Sequence, residues 1–229
     1  MDVFLFPLTS LSLQPGSLKP LNIFEPRYKC MLEQSLKEGT PIALVYGHHN
    51  QQWPAAEFDK IGNLHIPHES LVAIRRTACA GHPYVVQRSD DGSVLVSLEG
   101  QYKIWIEKLL PFQNEGEGSS PLKAQAIELK EDLDLGPHYQ LMYRIIEKDF
   151  RSWVESSSPQ LKNHSLYQKM FSTPSNMISL YSDLVIKDPI VKQKVLESDN
   201  LNDKLKILAK NKVDQRTSST HPPTQDLHP

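Results

Sequence analysis

The hydrophobic pattern of the chain changes once along its length, and this change constrains the fold more than any other feature. Up to about residue 130, apolar residues occur in short alternating runs separated by turn signals, which predicts β-strands. Over residues 136–213 they recur at helical spacing. The acidic stretch at 131–135 and the following Gly136–Pro137 separate the two patterns. We therefore predict an α+β chain with a β-rich part over 1–130 and a helical bundle over 136–213.

Local signals in the β-rich part indicate where elements begin and end. Pro26 suits the first position of a helix, where its missing N–H costs nothing, and Gly39 suits the end of that helix. Asp91–Gly92 stands between two alternating runs and predicts a β-hairpin. With six or more short strands and one or two short helices, the segment favours a closed or partly closed barrel.

The helical part contains amphipathic stripes, and the chain ends in a polar tail. The longest stripe combines six apolar residues at helical spacing: Leu141, Met142, Ile145, Ile146, Phe150 and Trp153. Four lysines crowd the last helix (Lys204, Lys206, Lys210 and Lys212), and we interpret them as a solvated face that also compensates the helix dipole. Residues 214–229 hold little to bury, and we predict a disordered tail.

Composition restricts where such a protein acts. The 229 residues carry a formal charge of −2, so there is no overall electrostatic attraction to nucleic acid or to an anionic membrane. The short apolar start has no basic segment before it, which argues against a signal peptide, and no run of about 18 apolar residues predicts a membrane helix. Cys30 and Cys79 are far apart in sequence and suit reduced thiols. We expect a cytoplasmic protein without a membrane segment.

Few residues suggest catalysis or metal binding. His65 and His68 would lie on opposite faces of a strand, and Cys30 sits among apolar helix positions. We therefore predict no metal site, no cofactor and no catalytic residues. Arg75–Arg76 is a small basic spot, but adjacent strand residues face opposite ways, so we do not expect one patch. RNA binding through the barrel stays the alternative function, although nucleic acid is disfavoured by the acidic balance of this half.

Three segments together resemble a known family. They are Phe6–Leu8 with Ile23–Tyr28, the hairpin and strand at 91–106, and the helical segment at 192–208. They are similar to the N-terminal substrate-binding domain of Lon protease, in particular to its stand-alone versions, over residues 3–212. The resemblance implies a PUA-like β pseudobarrel followed by a helical bundle. Because the chain has no phosphate-binding loop and no room for a Ser–Lys protease module, we expect a protein that is not an enzyme.

The resemblance also implies a function, namely a non-catalytic module that recognises proteins or peptides. Expected ligands are unfolded or apolar polypeptide segments or a protein partner, and a weak homodimer stays open. Five residues are candidates for the peptide-binding surface: Phe24, Arg27, Tyr28, Met31 and Trp105. An architectural interpretation competes for 23–28: Glu25 and Pro26 start the helix, Phe24 staples it to the barrel, and Arg27 pairs with a carboxylate or carbonyl groups.

Overall fold

The computed structural model describes residues 1–9, 11–49, 63–65, 71–111 and 121–218. Within these ranges the strands are β1 Asp2–Leu8, β2 Leu18–Ile23, β3 Ile42–His49, β4 Asn63–His65, β5 Leu71–Arg75, β6 Thr77–Gly81, β7 Pro83–Arg88, β8 Val94–Glu99, β9 Tyr102–Leu109 and β10 Lys123–Glu128. The α-helices are α1 Pro26–Glu38, α2 Gln140–Ser157, α3 Ser165–Met170, α4 Pro174–Leu184, α5 Pro189–Glu197 and α6 Leu201–Ser218, and short 3-10 helices occupy Pro137–Tyr139 and Pro159–Asn163.

The larger sheet closes on itself. Its strands follow the order β1-β10-β9-β6-β3, and a parallel pairing of β1 with β3, in which Phe4 lies opposite Ile42, completes the ring. β5 and β4 extend the sheet beyond β3, while β2, β8 and β7 form a separate three-stranded sheet. The prediction of an α+β fold with a β-barrel followed by helices is confirmed.

β1 shows how one strand serves two hydrophobic cores. Successive side chains of a strand point to opposite faces. Val3 and Leu5 pack into the cluster built from the strands of the closed sheet. Phe4 and Phe6 belong to a second cluster, which α1 and the three-stranded sheet complete. Because both faces of β1 are covered, its sequence is apolar almost throughout, unlike that of a half-exposed strand.

The local signals of the first half produce the predicted elements. α1 begins at Pro26 and ends before Gly39, which adopts a left-handed conformation with φ of 67°. In the turn between β7 and β8, Gly92 has φ of 78°. Both values lie in the region that glycine enters without steric cost.

The helical part has a core of its own, centred on Phe150. The ring of Phe150 lies 5.2 Å from that of Phe171 and 5.7 Å from that of Tyr181, measured between centroids. The last helix of this part, α6, runs to Ser218, beyond residue 213, where we predict the bundle to end. The rest of the predicted tail, residues 219–229, lies outside the described residues.

A buried ionic cluster joins the barrel to the bundle. Lys204 of α6 donates to both carboxylate oxygens of Glu131 at 2.7 Å, and Lys103 of β9 lies 3.1 Å from the same carboxylate. Lys103 also donates to the carbonyl oxygen of Ser198 at 2.7 Å. Burial lowers the pKa of Lys204 because desolvation disfavours the ammonium, while Glu131 opposes this effect. The interpretation of Lys204 as part of a solvated face is therefore wrong, since its side chain is only 1% exposed.

A second set of polar contacts joins α5 to the barrel. Arg75 at the end of β5 forms an ion pair with Glu197, and the side chain of Gln193 donates to the carbonyl oxygen of Thr77 at 2.9 Å. These side chains are largely removed from water, so each contact depends on the other half of the protein being in place. The barrel and the bundle consequently pack as one unit.

Candidate functional site

A groove of about 280 Å³ opens where β1 and β2 end and α1 begins. We call it the barrel groove. It is lined by Phe6, Pro7, Leu8, Thr9, Asn22, Ile23, Phe24, Glu25, Arg27 and Tyr28.

The floor and one wall of the barrel groove are built from aromatic rings. Phe6 and Tyr28 contact each other, with ring centroids 4.2 Å apart, and both are almost fully buried. The guanidinium of Arg27 lies 4.5 Å from the centroid of the Tyr28 ring, and its Nε is 3.3 Å from Oε2 of Glu25. The two charges at the rim are thus opposite in sign and close together, so the rim is close to neutral.

Phe24 is the most exposed aromatic of the barrel groove. It follows the last residue of β2, and 64% of its surface is open to solvent. The architectural interpretation, in which Phe24 staples α1 to the barrel, is therefore wrong for this side chain. The same interpretation holds in part for its neighbours, because Pro26 does occupy the first turn and Arg27 does pair with a carboxylate, whereas the Glu25 side chain makes no capping hydrogen bond.

The structure brings together three of the five candidate residues. Phe24, Arg27 and Tyr28 line the barrel groove. Met31 is fully buried in the core beneath α1, so it supports the wall from behind. Trp105 lies on β9, beneath the guanidinium of Arg76 at 5.8 Å from the ring centroid, and does not line this groove.

Sequence reasoning missed the contribution of β1 to the groove. Phe6, Pro7 and Leu8 provide much of its apolar surface, although the same three residues carry part of the family resemblance. Their role follows from tertiary structure, because the packing of α1 against β1 brings Phe6 into contact with Tyr28.

A second groove, of about 370 Å³, lies between α2 and α6 in the helical part. We call it the bundle groove. Leu141 and Ile145 are 72% and 51% exposed at its edge. The predicted apolar stripe of α2 therefore splits, because Ile146 and Phe150 enter the core while these two residues face outward. Its lining consists of His138, Leu141, Met142, Ile145, Ile146, Ala209 and Lys212.

Comparison with known families identifies the domain. The model of the ATP-dependent protease La (LON) substrate-binding domain matches residues 2–210, which is nearly the whole chain. The chain belongs to this LON substrate-binding domain family. No curated protein matches it in sequence.

Solved structures of LON N-terminal domains share the fold. The N-terminal domain of the Lon protease of Mycobacterium avium complex superposes with a TM-score of 0.65 at 12% identity, covering 93% of this chain and 99% of that one. The Lon N-terminal domain protein of Xanthomonas campestris gives a TM-score of 0.59 at 14% identity, covering 92% and 98%. At such low identity the likeness establishes the shared fold, while binding properties must be argued from the residues themselves.

The arginines of the LON domain's basic spot are engaged in protein contacts. Arg75 pairs with Glu197, as described above. Arg76 donates to the carbonyl oxygens of Ile106 and Glu107, each at 2.8 Å. Both arginines also donate to Asn63, Arg75 to its side-chain oxygen and Arg76 to its carbonyl oxygen, so their guanidinium groups are engaged within the protein.

The remaining candidates for chemistry are dispersed in this LON domain. His65 lies in β4, and His68 falls outside the described residues. Among the residues that the structure describes, no cluster of His, Cys, Asp or Glu could hold a metal ion. Burial raises the pKa of the Cys79 thiol well above its ordinary value, while the sulfur of Cys30 accepts from Gln34. In the same described ranges, no helix is long and apolar enough to cross a membrane.

Proposed function

We propose that this chain recognises apolar segments of unfolded polypeptides and holds them in the barrel groove. The observation that carries the proposal is the exposure of Phe24 beside an apolar groove in a member of a substrate-binding family. An exposed aromatic gains about 1.5–3 kcal/mol when a ligand buries it fully, which makes Phe24 the natural anchor.

The dimensions of the groove suit individual side chains of a flexible ligand. Its volume of about 280 Å³ is near the lower end of the range of pockets for small molecules, roughly 300–1,000 Å³. One or two large apolar side chains of an extended segment would fill it. Since Glu25 and Arg27 balance each other at the rim, we propose that the groove selects for apolar character with little regard to charge.

The proposal assigns a role to each candidate residue. Phe24 contacts the ligand, Tyr28 forms the wall against which the ligand packs, and Arg27 covers that wall. Met31 holds α1 in place from the core. Trp105 takes no part at this groove.

We further propose that this recognition involves no catalysis and no cofactor, and that it takes place in the cytoplasm. The raised pKa of the Cys79 thiol supports the absence of catalysis, since a buried thiol that stays protonated is a poor nucleophile. The cytoplasmic location is supported by the two free cysteines, which suit a reducing compartment.

RNA binding is supported less well than polypeptide binding. It requires available cations next to stacking aromatics. The pair of Arg76 and Trp105 has the right residue types, but the guanidinium already donates to two carbonyl oxygens.

The test uses a fluorescein-labelled, permanently unfolded protein, reduced and carboxymethylated α-lactalbumin, and measures its affinity by fluorescence anisotropy. We expect Phe24→Ala to weaken binding about tenfold, equivalent to about 1.4 kcal/mol. Tyr84→Ala is the matched control, because Tyr84 is a similarly exposed aromatic on β7, away from the groove. Equal binding by wild type and Phe24→Ala would overturn the proposal.

A further inference from the structure

Two large apolar side chains stay exposed at the edge of the bundle groove. Leu141 and Ile145 lie one turn apart on α2, and both are more than half exposed. Met142 and Ile146 continue the apolar surface inward, towards Ala209 on α6. Contiguous exposed apolar surface of this kind is typical of protein interaction sites.

The rim of the bundle groove is positively charged. Arg144 and Lys148 are exposed and follow Leu141 and Ile145 by three residues each, so they lie beside them on α2. Neither has an ion-pair partner among the described residues. On the α6 side, Lys212 itself lines the groove.

The carboxylates of α2 that lie next to these cations do not cancel their charge. Asp149 is paired with Lys212, and Glu147 is paired with Arg151. These pairs are neutral in sum, which leaves Arg144 and Lys148 to set the charge of the rim. A ligand with carboxylates next to its apolar side chains would complement both properties of the groove.

We propose that the bundle groove binds a partner protein through an amphipathic helix that carries large apolar residues on one face and Asp or Glu beside them. A helix fits because the groove lies between two helices, and apolar side chains spaced by three or four residues can then enter it together. Residues 219–229 of the chain itself match poorly, as they offer one carboxylate, Asp226, and one large apolar side chain, Leu227.

This inference is independent of the proposed function. The two grooves share no lining residue and lie in different halves of the protein. A partner bound in the bundle groove would leave the barrel groove open to an unfolded polypeptide.

The experiment uses two labelled synthetic helical peptides of about four turns, roughly 14 residues. The first has a leucine stripe flanked by glutamates, and the second has lysine in place of every glutamate. Fluorescence anisotropy gives the affinity of each for the full chain. We expect the acidic peptide to bind at least about tenfold more tightly than the basic one.

Variants locate the binding. Leu141→Ser is expected to weaken binding of the acidic peptide about tenfold or more, since it removes an apolar side chain that the ligand buries. Leu184→Ser, at an exposed leucine at the end of α4, is the control and should leave the affinity within about twofold. Phe24→Ala should also leave it unchanged, and this separates the result from the test of the barrel groove.

Several outcomes would overturn the inference. One is equal affinity for the two peptides, and another is no binding of the acidic peptide. A third is binding that is lost in Phe24→Ala but kept in Leu141→Ser. Self-association that Leu141→Ser abolishes would assign the groove to a second copy of the chain. A gain of about tenfold in affinity on deleting residues 219–229 would assign it to the chain's own end.

Discussion

Phe24 in the barrel groove and Leu141 in the bundle groove are both largely open to solvent, yet their surroundings differ in charge. Around Phe24 the rim charges, Glu25 and Arg27, pair with each other. Around Leu141 the acidic side chains are paired with other residues, and cations remain at the rim. Exposed apolar surface shows where a ligand can bind, whereas the neighbouring charges decide which ligand is preferred.

Buried charges between the barrel and the bundle contribute to holding both grooves in one folded unit. Glu131→Gln leaves the buried Lys204 without a carboxylate and Lys103 with only the exposed Asp199, and we expect the free energy of unfolding to fall by roughly 3–5 kcal/mol. Urea denaturation measures the loss. The control is Asp134→Asn at an exposed position in the same segment, which should change stability by less than about 0.5 kcal/mol. Equal stability of the two variants would show that the ionic cluster does not hold the halves together.

The helices that border the two grooves begin differently. The side chain of Asn200 accepts from the backbone N–H of Asp203 and caps α6, whereas Glu25 makes no such bond at the start of α1. We expect Asn200→Ala to lower the free energy of unfolding by about 1 kcal/mol, and Glu25→Ala by less than about 0.5 kcal/mol. Thermal and urea denaturation of both variants test this difference. A larger loss in Glu25→Ala would mean that α1 depends on its rim charge.

Salt should distinguish the two grooves. Raising NaCl from about 50 to about 500 mM shortens the screening length severalfold and should weaken binding of the acidic peptide a few-fold. Binding of carboxymethylated α-lactalbumin in the barrel groove should change by less than about twofold over the same range, because that rim is neutral. Parallel anisotropy titrations provide the measurement. Identical salt dependence at both grooves would contradict the proposed difference in charge.

Single charge removals should give the smallest effects. Arg144→Gln is expected to weaken binding of the acidic peptide about two- to threefold, as is usual for one exposed charge. Arg27→Gln should alter binding of the unfolded protein by less than about twofold, because Arg27 already pairs with Glu25. Anisotropy with each labelled ligand measures both, and wild-type affinity in Arg144→Gln would argue against charge selection at the bundle groove.

Local signals were sufficient to predict much of the fold. β1, α1 and the hairpin around Gly92 all lie where the sequence places them. Each depends on chemistry within a few residues, such as proline in the first turn of α1 or glycine at a positive φ. The parallel pairing of β1 with β3 had no such signal, since it joins segments separated by α1.

The candidate site was predictable only in part. Phe24, Arg27 and Tyr28 could be grouped from the sequence because they lie within five residues at the junction of β2 and α1, and all three line the barrel groove. Met31 lies on the same helix but faces the core with Tyr28 and Leu32, so its helical spacing already favoured burial. The sequence does not show how far Trp105 lies from the start of α1, and the structure places it at a different surface, beneath Arg76.

By itself, the sequence determined the α+β order of elements, the turn geometry and the family, because these depend on residue type and spacing within short segments. Only the tertiary structure decided which lysine of α6 is buried and which leucines of α2 stay exposed. The reason is physical, because burial depends on what packs opposite a residue. The ion-pair partner of Lys204 is Glu131, which lies 73 residues earlier in the chain. The same applies to both grooves, whose walls meet only when α1 packs against β1 and α6 packs against α2.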